Sequence, residues 1–178
     1  MAPDAVTRFS GFAAEYDAAR PQPPAALVDV IRQWSGVAAP DVLDLGAGTG
    51  LSSIIWAGRA STVTAIEPSA DMRAIARYRV VQARQPPAAG AGEPATLGVT
   101  RGGGPNWFTV ADGTAERTGM PDGCADIVTA SQAMHWFDAE RALPEIARIL
   151  RPGGVLAAYD CDWPPCIDWE TDAAYAAA

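Results

Sequence analysis

Apolar positions along this chain switch between two spacings. Val42-Leu43-Asp44-Leu45 is a nearly continuous apolar run, and Thr62-Val63-Thr64-Ala65-Ile66, Trp107-Phe108-Thr109-Val110-Ala111, Asp126-Ile127-Val128-Thr129-Ala130 and Val155-Leu156-Ala157-Ala158-Tyr159 repeat it. Short runs of this kind, bounded by turn residues, predict strands buried on both faces. Between them the apolar residues fall at helical spacing. Leu27, Ile31 and Trp34 behind Pro23-Pro24 predict an inward-facing helix over residues 24–35, and Ser52 to Ala57 a short second one. Ser69 is placed to cap a third over Asp71 to Arg84, with Met72, Ile75 and Val80 inward. Asp138 to Leu150 predicts a fourth, with Leu143, Ile146 and Leu150 inward; Pro144 either kinks it or marks its first turn, and Arg151-Pro152-Gly153-Gly154 ends it. Strand and helix thus alternate. The fold class that follows is α/β: a doubly wound, mostly parallel sheet with helices on both faces and right-handed crossovers.

Composition narrows the chemistry. The 178 residues, 49% apolar and 19% charged, suffice for one globular domain with a sizeable core. Residues 84–105, from Gln85-Pro86-Pro87 to Gly102-Gly103-Gly104-Pro105, read as a long surface insertion. No stretch approaches ~20 apolar residues, and the first residues lack a basic-then-apolar signal, so a cytoplasmic protein without membrane contact is expected. All 13 basic residues are arginine, and His135 is the one histidine. That excludes P-loop and Schiff-base lysines and the H-E-x-x-H zinc site. A net charge of −8 argues against nucleic acid and for small-molecule partners. Cys124, Cys161 and Cys166 contain no C-x-x-C pair, which fits reduced thiols and no metal site.

The candidate chemistry gathers where the first strand ends. Gly46-Ala47-Gly48-Thr49-Gly50 follows Asp44 with glycine at every second position, so a ligand can touch bare backbone there. The helix expected behind the turn would add the positive end of its dipole. Seventeen residues past Gly50 the second strand ends in Glu67-Pro68, where a carboxylate can accept from two ribose hydroxyls. Dinucleotide turns read G-x-G-x-x-G to seat a pyrophosphate, whereas G-x-G-x-G with an acid two residues before it repels phosphate. The third and fourth strands end in Asp112-Gly113 and Ser131-Gln132, and ligands in open parallel sheets collect at such carboxyl ends. Asp-Gly is also a common turn pair.

Together these residues resemble the class I S-adenosylmethionine-dependent methyltransferases, a Rossmann-like fold. Phe9, Tyr16 and Arg20-Pro21, with Ser131-Gln132-Ala133-Met134-His135-Trp136-Phe137-Asp138, are similar to the trans-aconitate methyltransferase-like branch of methyltransferase type 11. The resemblance covers residues 9 to about 160, outside the insertion. It implies S-adenosyl-L-methionine as cofactor, bound by Tyr16, Arg20, Asp44, Gly46, Ala47, Gly48, Gly50, Glu67, Pro68, Asp112, Gly113 and Ser131. Asp44 and the glycines would face the methionine end, Glu67 the ribose, Asp112 the adenine amine and Ser131 the sulfonium region. Tyr16 and Arg20 would close over the cofactor, with Arg20 pairing its carboxylate; core packing is the other reading of Tyr16. His135 either deprotonates or orients a small-molecule methyl acceptor, by O- or carboxyl-methylation, or packs beside Trp136.

The chain departs from that family at its end. Residues 1–160 form the cofactor-binding domain on this reading, and 161–178 an incomplete connector where the family adds two more strands. Either the sequence is a truncated piece or another subunit covers the fifth strand's edge. A cofactor-binding fragment without catalysis is therefore the alternative function. A nicotinamide-dependent reductase shares the architecture, but the glycine spacing and the lack of any Tyr-x-x-x-Lys pair oppose it.

Overall fold

All five expected strands form, and all run parallel. The computed structural model describes residues 11, 13–84 and 107–160. Within it β1 (Asp41–Leu45), β2 (Thr62–Ile66), β3 (Phe108–Ala111), β4 (Ala125–Ser131) and β5 (Leu150–Tyr159) lie in the order β3-β2-β1-β4-β5. β1 pairs with β2 from Asp41↔Thr62 to Leu45↔Ile66, and with β4 from Val42↔Ile127 to Asp44↔Thr129. The chain winds outward through β2 and β3, then crosses back to β4 and β5. Strand order therefore reverses between β1 and β4, and a crevice opens outside their carboxyl ends.

Helices α1 (Ala13–Ala19), α2 (Ala26–Ser35), α3 (Ala70–Arg84) and α4 (Ala139–Ile149) complete the layers. Alternate residues of β1 feed opposite faces. On one, Val42, Val63 and Ile127 pack with Val28 and Ile31 of α2, Val80 of α3 and the fully buried Trp56. On the other, Leu43, Leu45, Ile66 and Val128 pack with Ala142, Ile146 and Ile149 of α4. Each large apolar side chain removed from water stabilises the fold by ~1.5–3 kcal/mol. Ser69 caps α3 as expected, its Oγ accepting from the Met72 N–H at 3.4 Å.

Five local expectations need correction. Ser52 to Ala57 makes only a 3₁₀ turn, Ile54–Trp56, because the chain bends again at Gly58 (φ 72°) before a helix can propagate. The dipole expected behind the glycine turn is thus absent. Trp34 is 79% exposed, since the buried stripe of α2 runs through Val28 and Ile31. Leu143 is exposed as well, and Ala142 and Ile149 take the inward places beside Ile146. Pro144 lies inside α4 on an exposed face, so it does not mark the first turn. β5 begins at Leu150, opposite Ala125, and residues 151–154 loop out before Val155 rejoins the ladder opposite Ile127.

Phe9, the insertion beyond Arg84, Cys161, Cys166 and the connector from residue 161 lie outside the described residues. Among the described residues no helix is long and apolar enough to cross a membrane, and no group of three His, Cys, Asp or Glu side chains could hold a metal ion.

Candidate cofactor-binding cleft

The turn after β1 owes its shape to glycine. Gly46 (φ 64°) and Gly48 (φ 56°) occupy the left-handed region that side chains disfavour. A Cβ on Gly46 would stand 2.8 Å from the Ala133 Cβ, so the turn and the segment after β4 close on each other only because it is absent. A Cβ on Gly48 would meet nothing within 4 Å. The turn is pinned to β2 by the Ala47 N–H, which donates to the Ile66 carbonyl at 3.1 Å.

Glu67 meets that turn from the neighbouring strand end. Its backbone N–H donates to the Ala111 carbonyl at 3.2 Å, which fixes it over β3. Its carboxylate accepts from the Gly48 N–H at 2.9 Å and the Ser69 N–H at 2.8 Å, and only 8% of the residue is exposed. Burial raises its pKa, and the N–H groups of Ser69 and Gly48 offset part of that rise.

Asp44 lies deeper. It is fully buried, with Ser52 and Ser53 hydroxyls each donating to Oδ2 at 2.5 Å and Thr129 to Oδ1 at 2.7 Å. Burial pushes its carboxyl up against the pull of those three hydroxyls. The sequence shows an acid beside the turn; the structure places it under the floor, with Ser52 between it and the cleft.

These residues line a cleft of about 890 Å³, counting the solvent at its mouth. Its wall holds Tyr16, Arg20, Gly46, Ala47, Gly48, Glu67, Pro68 and Ser131 of the expected site. Tyr16 and Arg20 come from α1 and its end, the guanidinium 5.0 Å above the phenol ring and donating to the Gln132 Oε1. Burial raises the Tyr16 pKa. Gln132 holds an unusual φ of 50°, anchored by its N–H to the Tyr159 carbonyl at 2.8 Å.

Asp44, Gly50, Asp112, Gly113 and His135 do not reach that wall. Gly50 instead lets α3 approach, as a Cβ there would lie 3.3 Å from the Ala76 Cβ. The Asp112 carboxylate points outward and pairs with Arg73 at 2.9 Å, while a Cβ on Gly113 would strike Ile66 at 2.9 Å. His135 stands on the rim, over half exposed, its ring 4.8 Å from the Trp136 indole and its Nδ1 3.8 Å from the Asp160 carboxylate. Thr114 and Ala115 face the cleft where Asp112 was expected, because a bridge between Thr114 and Arg117 folds the chain back after β3. Leu51, Ser52, Met72, Trp136 and Phe137 also line the wall, and no spacing rule assigned them to it.

The methyltransferase-domain family matches residues 43–158, the stretch that builds the sheet and most of this cleft. The chain belongs to that family. This chain is 33% identical over 148 residues to an uncharacterised methyltransferase of Mycobacterium tuberculosis, covering 83% of it and 49% of that relative. It is 34% identical over 117 residues to the malonyl-[acyl-carrier protein] O-methyltransferase of Pectobacterium atrosepticum, covering 65% of this chain and 36% of the relative. Among solved structures it resembles a protein assigned as a type II methyltransferase from Anaeromyxobacter dehalogenans, with 30% identity and a TM-score of 0.63 over 88% of this chain and 55% of the other. It spans about half the length of the curated relatives it matches. S-adenosylmethionine is the cofactor that goes with this family.

Proposed function

We propose that the chain binds S-adenosylmethionine in this cleft and, within a methyltransferase, supports transfer of the methyl group to an oxygen or carboxylate of a small-molecule acceptor. The observation that carries the proposal is the Glu67 carboxylate. It has room for about four hydrogen bonds, and the N–H groups of Gly48 and Ser69 take two. The remainder suits the paired hydroxyls of a ribose. A side chain at Gly48 would stand in the space such a ligand needs. Pro68, Met72 and Ala115 offer apolar wall to a flat ring, and Arg20 offers a guanidinium to a carboxylate.

When bound, the sulfonium supplies a methyl group already activated for displacement. The chain's own residues then bind and align, since alignment alone lowers such barriers substantially. Tyr16 and Arg20 cover the cleft and keep water out. His135 on the rim is placed to orient an acceptor or take its proton, and its contact with Trp136 carries that position to the wall. O-methylation draws support from the Pectobacterium relative, whose own name is an O-methyltransferase. A cytoplasmic setting without nucleic-acid partners belongs to the same proposal, supported by the net charge of −8. So does self-association through β5, which among the described residues pairs only with β4.

One observation favours a second reading, a cofactor-binding unit that does not itself transfer methyl groups: His135 does not line the cleft. Counting labelled methyl groups passed to hydroxyl and carboxyl acceptors, beside a binding titration, separates the two. Transfer supports the enzyme, binding without transfer to any acceptor supports the second reading, and no binding overturns both. Full turnover by His135→Ala at saturating acceptor would remove His135 from the chemistry.

A further inference from the structure

The arm that covers the cleft and the turn that floors it meet at one side chain. Arg79 projects from α3, outside the cleft wall, and divides its guanidinium between them. Its Nε donates to the carbonyl of Thr49, between Gly48 and Gly50, at 3.0 Å. Its Nη2 pairs with the Asp17 carboxylate of α1, one residue past Tyr16 and three before Arg20. Both side chains are about three-quarters buried, so the pair is shielded from salt more than a surface pair would be. A second tie, the Gly11 N–H to Asp71 at 3.2 Å, holds the start of the arm to α3 in an exposed position and reaches no part of the turn.

We propose that Arg79 is a positioning residue that couples closure of the arm to the shape of the glycine turn, so that the cofactor is retained only while both are held. This rests on the cofactor reading above. Tyr16 and Arg20 cover the cleft only while α1 is docked, and Asp17 fixes α1 to Arg79. Gly48 presents its N–H to Glu67 only while the turn keeps its left-handed geometry, and the Thr49 carbonyl fixes that geometry to the same guanidinium. A planar fork with donors on separate nitrogens can hold both at once. A lysine ammonium there offers a single point charge.

The test is the dissociation rate of S-adenosylhomocysteine from the full chain, followed by stopped-flow displacement, with thermal unfolding of each variant recorded alongside. Asp17→Asn and Arg79→Gln should each release the ligand roughly tenfold faster, the effect expected for loss of a charge-assisted hydrogen bond. Asp71→Asn should leave the rate within about twofold, as it cuts only the arm's outer tie. The exchanged pair Asp17→Arg with Arg79→Asp restores the ion pair but has no donor for the Thr49 carbonyl. It should recover unfolding temperature and still release ligand fast. Recovery of slow release by the exchanged pair would overturn the coupling, leaving a plain arm tether. Unchanged rates in Asp17→Asn and Arg79→Gln would overturn any role for Arg79. A parent chain that binds no S-adenosylhomocysteine would overturn the cofactor reading itself, and the coupling with it.

Discussion

Two opposing forces act on the Glu67 carboxylate, and their balance sets how the site responds to acid. Burial raises its pKa more than the Ser69 and Gly48 N–H groups lower it. The ionised form is the one that can accept from hydroxyls, so affinity for S-adenosylhomocysteine should be complete above the raised pKa and fall as pH drops through it. Because burial raises it from a glutamate's ordinary value, the loss should begin at milder acidity than an exposed glutamate would show. Calorimetric titrations from pH 7.5 downward should record this fall, and Glu67→Gln should flatten it; an equal fall in that variant would assign the dependence to another group. Glu67 was legible from sequence because a strand-end acid has few places to go. The depth of Asp44 was not: its partners Ser52, Ser53 and Thr129 lie 8, 9 and 85 residues away and converge only in the fold.

At the scale of elements, helix α4 is anchored through one glutamate. Glu145 accepts from the backbone N–H and hydroxyl of Thr118 and from Arg148, which itself reaches Asp122 and the Met120 carbonyl. The Arg148 hydrogen bond is the main cause that pushes Glu145 down to about 2. Its folded pKa lies below its unfolded value of 4.5, so the stabilisation is complete above that value and is lost as pH falls toward about 2. Urea midpoints measured from pH 6 to pH 3 should therefore fall less steeply in Glu145→Gln than in the parent chain. Parallel slopes would show that this network does not couple to folding. Strands were legible because apolar runs of four or five residues leave little choice once both faces are buried. Helix faces were less so: Trp34 and Leu143 satisfy helical spacing yet sit outside the stripe the sheet covers, and the spacing alone does not fix which flank the sheet will meet. Ser52 to Ala57 failed as a helix for want of length.

The whole molecule follows from one topological fact. A sheet ordered β3-β2-β1-β4-β5 must leave a crevice beside β1, and the loops after β1, β2 and β4 fill its rim with glycine, a buried carboxylate and an amide. The alternation of strands and helices made that architecture legible, and the rule that ligands gather at strand ends pointed to the candidate cleft. The α1 arm was found through family likeness in Tyr16 and Arg20, and physical spacing gave no hint of its anchor at Arg79. Thr114 and Ala115 escaped because a turn after β3, invisible in the pattern, returns them to the cleft.

Isothermal titration of the full chain with S-adenosylhomocysteine, in parallel with Glu67→Ala, tests the central claim most directly. Saturable binding at one site, weakened by about one to two decades in Glu67→Ala, is the result expected for loss of a charge-assisted acceptor. No saturation in a folded parent chain, or equal affinity in the variant, would contradict it.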